Sequence, residues 1–293
     1  MKELIVLTPT YNRSHTLFKL YESLIKQTFK NFTWLIIDDG STDNTELQVE
    51  SLVKENLIDI QYIKQENGGK ARALNKGFNY IKHDCLFVIV DSDDHLLSEG
   101  LMKVKSTRDK YRNINKAGGY FFHYQEQSKG LITAKQKLEQ ELMLSPFEYF
   151  KVYGKNDGCL CYEKKVVLKY QYPEFEGEKY VGPTVLQMSM ANEFNIVYSP
   201  SVVGVAEYQE NGLTRSGRKL RMNNPNGMIV YNELKLKKEE KLIEKLKFAI
   251  SIWAYYLQLD KSAKYLIRDS DNPFLLMFTY FPGLYLNLKW MRQ

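Results

Sequence analysis

Cysteine is scarce in this chain, and the usual cysteine patterns are missing. Cys85, Cys159 and Cys161 are the whole complement, with no CxxC pair and no Cys/His array at metal-ligand spacing. That excludes a zinc-ribbon or a disulfide framework and makes a reducing, cytoplasmic chain the expectation. Met1-Lys2-Glu3 and the short apolar run ending at Pro9 lack the longer apolar core and small-residue cleavage site of a secretory signal. No GxGxxG follows Leu7, which argues against a dinucleotide oxidoreductase. Also absent after that first run is a Gly-rich, Arg-containing loop of the kind a sugar nucleotidyltransferase uses. Neither an internal repeat nor a low-complexity tract interrupts the sequence. Charged residues disappear between Pro273 and Leu288, yet these 16 residues, broken by Pro282-Gly283, are too few to span a bilayer.

What remains is a globular chain of 293 residues with a mild excess of Lys and Arg, 41 against 35 Asp and Glu. The length suits one large α/β domain with an appended segment. The charge suits anionic partners such as pyrophosphates, lipid headgroups or nucleic acid without choosing among them; on the reading that follows, nucleic acid is not among the partners expected. Aromatics are abundant, 21 Tyr and 15 Phe, many of them beyond residue 110, where core packing is the first explanation.

The N-terminal third alternates two periodicities. Leu4-Ile5-Val6-Leu7 is a buried-strand run, and Leu17, Leu20 and Leu24 carry helical spacing between Ser14 and Lys26. Thr33 to Ile37 repeats the strand pattern, and Leu47, Leu52 and Val53 mark a second helix. Residues 58–63 predict a third strand, 69–80 a third helix and 85–90 a fourth strand. Such alternation predicts a mostly parallel, Rossmann-like sheet flanked by helices, and ligands of such sheets bind beyond the carboxyl ends of the strands. On that edge fall Pro9-Thr10-Tyr11-Asn12-Arg13, Asp38-Asp39, Gln65-Glu66-Asn67-Gly68-Gly69 and Asp91-Ser92-Asp93-Asp94. Further on, 120–122 and 159–162 read as strands, 180–191 as a helix, and 196–205 as one or two strands broken at Pro200. The domain is expected to occupy residues 1–215, with halves at 1–110 and 111–215, followed by a helical extension over 216–293.

Three carboxylates in four residues repel one another unless a cation or donor array offsets them. A divalent ion shared with diphosphate oxygens would do so; a solvated acidic turn capping the next helix is the alternative. In the first loop Tyr11 offers a ring for a base to stack on, and in the second Asp39 offers an acceptor for an imide N–H. Packing and turn formation are the competing roles. Asn67-Gly68-Gly69-Lys70-Ala71-Arg72 combines close backbone approach, a helix N-terminus and two cations, a receptor for phosphates. His95 follows the acidic cluster; His15, His83 and His123 read as ordinary polar or packed residues.

Taken in order and spacing, PTYNR, DDGSTDNT, NGGKARALNKG and DSDD resemble the family 2 glycosyltransferases of GT-A fold, strongly over residues 3–110 and more loosely to about 215. The resemblance implies inverting transfer from a nucleoside-diphosphate sugar, usually UDP-linked, to a hydroxyl of a glycan or lipid-linked saccharide in surface-polysaccharide synthesis. It implies Pro9, Thr10, Tyr11, Asn12, Arg13, Asp39, Gly69, Lys70 and Arg72 around the nucleotide sugar, with Asp91 and Ser92 beside them. Asp93 would be the leading ligand of Mn²⁺ or Mg²⁺, Asp91 and Asp94 its companions. Inversion also needs a carboxylate to take the acceptor proton. Where the family often has a Glu-Asp pair this chain has Glu178-Lys179, so Glu178 is the first candidate and Glu176 the second. Both acids also suit a helix N-terminus. The loop from Glu207 to Arg215 resembles one that folds over the donor, with Arg215 near the diphosphate; a plain surface loop is the alternative. The departure at Lys179 keeps open a carbohydrate- or partner-binding module without turnover. For the uncharged tail two readings stand: a membrane interface, with Lys235 to Lys264 near anionic headgroups, or packing on its own domain or on a second subunit as a homo-oligomer.

Overall fold

The computed structural model describes residues 2–126, 130–131, 136–207, 217–259 and 261–292. Its first strand, β1 (Leu4–Thr10), is buried at every position, as an apolar run with a parallel partner on each side should be. Those partners are β2 (Phe32–Asp38) and β4 (Leu86–Ile89); β3 (Ile60–Lys64) lies beyond β2, also parallel. Between them run α1 (Ser14–Ile25), α2 (Thr45–Glu55) and α3 (Lys70–Tyr80). Helix α1 buries Leu17, Leu20, Tyr21 and Leu24, the stripe its spacing predicts.

Then come β5 (His95–Leu96), α4 (Gly100–Tyr111), β6 (Ala117–Glu126), β7 (Gly130–Leu131), β8 (Leu142–Leu144), α5 (Pro146–Val152), β9 (Gly158–Glu163), α6 (Lys164–Lys169), α7 (Thr184–Met190) and β10 (Asn195–Ala206). One sheet results, in the order β3-β2-β1-β4-β9-β6-β10-β5, with β7 on β6 and β8 on β10. Strands β1 to β4, β6 and β10 point the same way; β9 and the short β5, β7 and β8 oppose them. The sheet is thus mostly parallel, as predicted, but β9 enters antiparallel between β4 and β6. Strand β10 passes through Pro200 without ending, its pairing with β6 slipping between Tyr198 and Val202. Behind the sheet Arg108 of α4 holds Glu163 of β9 through two hydrogen bonds of 2.9 and 2.8 Å, and Tyr120 donates to the same carboxylate. Both charges are buried, so each needs the other.

The chain divides into two compact units, residues 1–172 with 190–210, and residues 173–189 with 211–293. Residues 173–189 cluster with the C-terminal helices. Their tie is a reciprocal cap at the start of α9 (Pro225–Lys238). Glu178 Oε1 accepts from the Asn226 backbone N–H and side chain at 2.8 Å each, and Oε2 from the Gly227 N–H at 3.0 Å. In return Asn224 Oδ1 accepts from the N–H groups of Lys179 and Tyr180. Besides α9 this unit holds α8 (Gly217–Met222), α10 (Leu242–Tyr256), α11 (Ala263–Asp269) and α12 (Pro273–Met291). Its core gathers Met228, Ile229, Leu236, Ile252, Trp253 and Leu276. Helix α12 continues through Pro282, which costs it one internal hydrogen bond. Among the described residues no helix is long and apolar enough to cross a membrane.

Candidate functional site

The first two loops are stitched together before any ligand is considered. Asn12 takes a left-handed conformation, φ 52°, which Asn tolerates better than most residues. Its Oδ1 accepts from the Thr42 N–H at 2.8 Å, and its own N–H donates to Ser41 Oγ at 2.8 Å. Asp43 then receives Ser14 on one oxygen and Thr45 on the other, joining the starts of α1 and α2. Burial alone would raise the Asp43 carboxyl; the hydrogen bonds from Thr45 and Ser14 outweigh it and hold the group at about 2. Within this frame Tyr11 stands 47 % exposed, a ring with an open face, and the buried Thr10 Oγ1 has no hydrogen-bond partner among the described residues.

Asp39 organises the third loop. Its Oδ1 accepts from Gln65 Nε2 at 2.7 Å and the Gly68 N–H at 2.8 Å, and its Oδ2 accepts from the Gly69 N–H at 2.7 Å. An ionised carboxylate offers about four acceptor positions, so Oδ2 keeps one for a ligand donor. Gly69 sits at φ 91°, ψ 161°, a region open essentially to glycine alone, and from there the chain turns into α3. Lys70 and the half-buried Arg72 follow on its first turn, where helix-end N–H groups favour an anion.

The fourth loop supplies the acids. Asp91, Asp93 and Asp94 each bring a carboxylate oxygen into one group whose atoms all lie within 4.8 Å of one another. Lys70 Nζ donates to Asp91 Oδ2 at 2.5 Å, while Asp91 Oδ1 is buried without a hydrogen-bond partner among the described residues. Burial, then the charges of Asp91, Asp93 and Asp157, push Asp94 up to about 9. Burial and Asp91 raise Asp93 as well. Burial pulls Lys70 down, but the charge and hydrogen bond of Asp91 leave it net raised. One ammonium thus does not neutralise three carboxylates. An orphaned oxygen, close carboxylates and uncompensated repulsion together fit an oxygen-loving divalent cation such as Mg²⁺ or Mn²⁺.

Pro9 lies in β1 one residue before its end, and Arg13 occupies the N-cap position of α1 while its charge acts on Asp93. Ser92 is buried inside the acidic turn. His95 lies in β5 with Nδ1 3.6 Å from Glu207, and burial lowers its basicity. Thr10, Asp39, Lys70 and Asp91 to Asp94 are therefore gathered at one sheet edge. Glu178 is different: it is 9 % exposed and its carboxylate accepts the three hydrogen bonds of the α9 cap. Glu176, two residues earlier, is exposed. Arg215 and most of its loop lie outside the described residues. Sequence reasoning missed Asp157, just before β9, whose charge acts on Asp94, and the buried Tyr124 of β6, on which Asp94 and Asp91 act in turn. Only the antiparallel arrival of β9 beside β4 brings Asp157 to this edge, and no local pattern announces that.

The model of Glycosyl transferase family 2 matches residues 5–156. The chain belongs to that family. Among curated relatives, "Glycosyltransferase GlyG" of Streptococcus pneumoniae is 33 % identical over 129 residues, 43 % of this chain and 42 % of GlyG, so the likeness spans less than half of either protein. A longer match, 24 % identical over 287 residues, covers 92 % of this chain and 87 % of "GalNAc(5)-diNAcBac-PP-undecaprenol beta-1,3-glucosyltransferase" of Campylobacter jejuni. Among solved structures, TarS residues 1–349 of S. aureus in complex with UDP-GlcNAc superposes with a TM-score of 0.65 at 17 % identity, over 98 % of this chain and 81 % of that one. At that identity the likeness establishes the GT-A fold.

Proposed function

We propose that this chain is an inverting glycosyltransferase that moves a sugar from a UDP-linked donor to a hydroxyl of a saccharide acceptor carried on a lipid. The observation that carries the reading is the gathering, on one sheet edge, of an exposed ring at Tyr11, an acceptor at Asp39, a cationic helix start at Lys70 and Arg72, and three carboxylates with an unpartnered oxygen. Tyr11 stacks the base and Asp39 accepts its imide N–H. Asp91 and Asp93, with Asp94, would hold a divalent ion, and that ion would supply neutralisation of the departing diphosphate. Lys70 and Arg72 share that charge, and Pro9, Asn12, Arg13, Gly69 and Ser92 shape the pocket around the donor. The acceptor oxygen forms a bond to the anomeric carbon as the bond from that carbon to the diphosphate breaks, and the hydroxyl proton passes to a carboxylate. Glu178 and Glu176 are the candidates for that carboxylate, and Glu178 also accepts the three hydrogen bonds of the α9 cap. The UDP-GlcNAc complex of TarS and the undecaprenol-linked substrate for which the C. jejuni relative is named support the donor and acceptor classes. Buried free cysteines suit the cytoplasmic face of a cell membrane, where nucleotide sugars are available.

The test is release of UDP from a panel of UDP-sugars with and without Mn²⁺, in wild type and Asp93→Ala. Metal-dependent turnover that falls about 100-fold or more in the variant is expected. Equal rates with and without metal, or an unaffected variant, would overturn the metal assignment. A second reading, donor binding without turnover, draws on the engagement of Glu178 and on Lys179. It predicts calorimetric binding of UDP-sugar with no UDP released when lipid-linked saccharide is supplied.

A further inference from the structure

Helix α12 is built inside out. Toward α10 it turns Leu276, Thr279, Gly283 and Asn287, all buried, whereas Phe274, Met277, Phe278, Phe281, Tyr285, Leu288 and Met291 are between 47 and 84 % exposed. A helix resting on a water-soluble body places its large apolar side chains inward and its polar ones outward. Here Thr, Gly and Asn face in and three phenylalanines face out. The orientation is fixed, not incidental. Trp253 Nε1 donates to the Leu276 carbonyl at 2.7 Å and Asn287 Nδ2 to the Ala254 carbonyl at 2.8 Å. A Cβ on Gly283 would come within 2.2 Å of Trp253 Cβ, so no bulkier residue fits at that contact. The exposed positions recur every three or four residues and so form one stripe along the helix.

A continuous exposed apolar surface of this kind marks a docking face, and charge identifies its occupant. Residues 211–293 hold 15 Lys and Arg against 7 Asp and Glu, whereas residues 1–210 hold 26 against 28. No acid follows Asp271, which pairs with Lys237; Arg268 pairs with Asp269, while Lys261 and Lys264 precede α12 in the chain and Lys289 and Arg292 close it, all four exposed. Two copies brought together through such a basic surface would repel; an anionic bilayer would attract it. We infer that α12 lies in the plane of an anionic phospholipid surface, its Phe274-Phe278-Phe281-Tyr285 face inserted at the level of the headgroups and its flanking cations on the phosphates. A lipid-linked acceptor would be reached from that plane, but the inference stands on α12 alone and is tested without any transfer.

The full chain is sedimented with phosphatidylcholine vesicles containing about 30 % phosphatidylglycerol and, separately, with pure phosphatidylcholine. Preferred binding to the anionic vesicles is expected, weakened by salt and reduced at least about tenfold by Phe278→Glu with Phe281→Glu. Both positions are exposed, so the double variant should keep its thermal midpoint, which is measured alongside. A Lys261→Glu, Lys264→Glu variant should weaken binding to anionic vesicles and leave the weak binding to neutral ones unchanged. No vesicle binding by wild type, or binding that the Phe pair does not alter, overturns the inference. So does a wild-type particle of twice the chain's mass that becomes single in the Phe variant without any vesicle binding, since the face would then belong to a second copy.

Discussion

Replacing Glu178 by Gln separates a structural carboxylate from a catalytic one. The native group accepts three hydrogen bonds, two of them from the Asn226 and Gly227 N–H groups in the first turn of α9. Glutamine keeps one acceptor oxygen, for Asn226, and turns an NH₂ toward the Gly227 N–H. One charge-assisted bond is then lost and two donors face each other in a nearly buried place, while the favourable charge at the helix start disappears. Hydrogen bonds to charged groups contribute about 1.5–3 kcal/mol, and a charge at a helix end adds a few tenths to one more. A loss of about 2 kcal/mol lowers the melting temperature by roughly 3 °C in a chain of this size. The assay pairs thermal unfolding by circular dichroism with the initial rate of UDP release well below the transition. The expected result is that fall in midpoint with kcat within about threefold of wild type, because general-base loss alone would cost about 10²–10⁴. An unchanged midpoint together with a thousandfold fall in kcat would refute the reasoning and return Glu178 to the role of base.

Asp39→Asn should act on both stability and donor affinity, because the amide cannot accept from Gln65, Gly68 and Gly69 together. A destabilisation of about 2 kcal/mol and weaker UDP binding by calorimetry are expected; an unaltered Kd would show the third loop to be independent of it. Gly69→Ala forces a Cβ into a backbone region that costs about 1–3 kcal/mol, and should raise the KM for the donor more than it lowers kcat. Asp43 is held below its ordinary value, so its contribution is complete above about pH 4 and is lost as pH falls toward 2. With allowance for its exposure that contribution is about 1 kcal/mol, and Asp43→Ala should flatten the loss of stability over that interval in acid titrations followed by fluorescence.

Much of the donor side of the fold was legible because its signals are local. The first, second and fourth strands are short apolar runs that give way to Thr10-Tyr11, Asp39-Gly40 or Asp91, and the Gly68-Gly69 pair follows the third, so that strand, loop and helix start are written close together. Boundaries moved only slightly: the third strand begins at Ile60, and Gly69 caps α3 rather than joining it. What stayed hidden depends on distant partners. Strand β9 carries no mark of its antiparallel placement beside β4, and β6 runs from Ala117, well before the predicted Tyr120. Pro200 looks like a break because a lone sequence cannot reveal that β6 will accept a slipped register across it. Glu178 suits a helix start by its charge, but the helix start it binds lies 48 residues further along, at Asn226. The inverted polarity of α12 was equally unreadable, since which face turns inward is decided by Trp253 and Ala254 on α10.

The interlocking of Glu178 with Asn226 and Asn224 with Lys179 also constrains how this protein can be made. Residues 173–189 leave the ribosome before β10, yet the groups that satisfy them follow only after it. During synthesis the stretch must wait, unsealed, until some fifty further residues have emerged. A fragment ending near residue 215 would keep it in that waiting state indefinitely. Recombinant versions lacking the helices should therefore be prone to clumping and to protease attack around Gly177, and the helices are better regarded as the closing half of a clasp than as a detachable appendage.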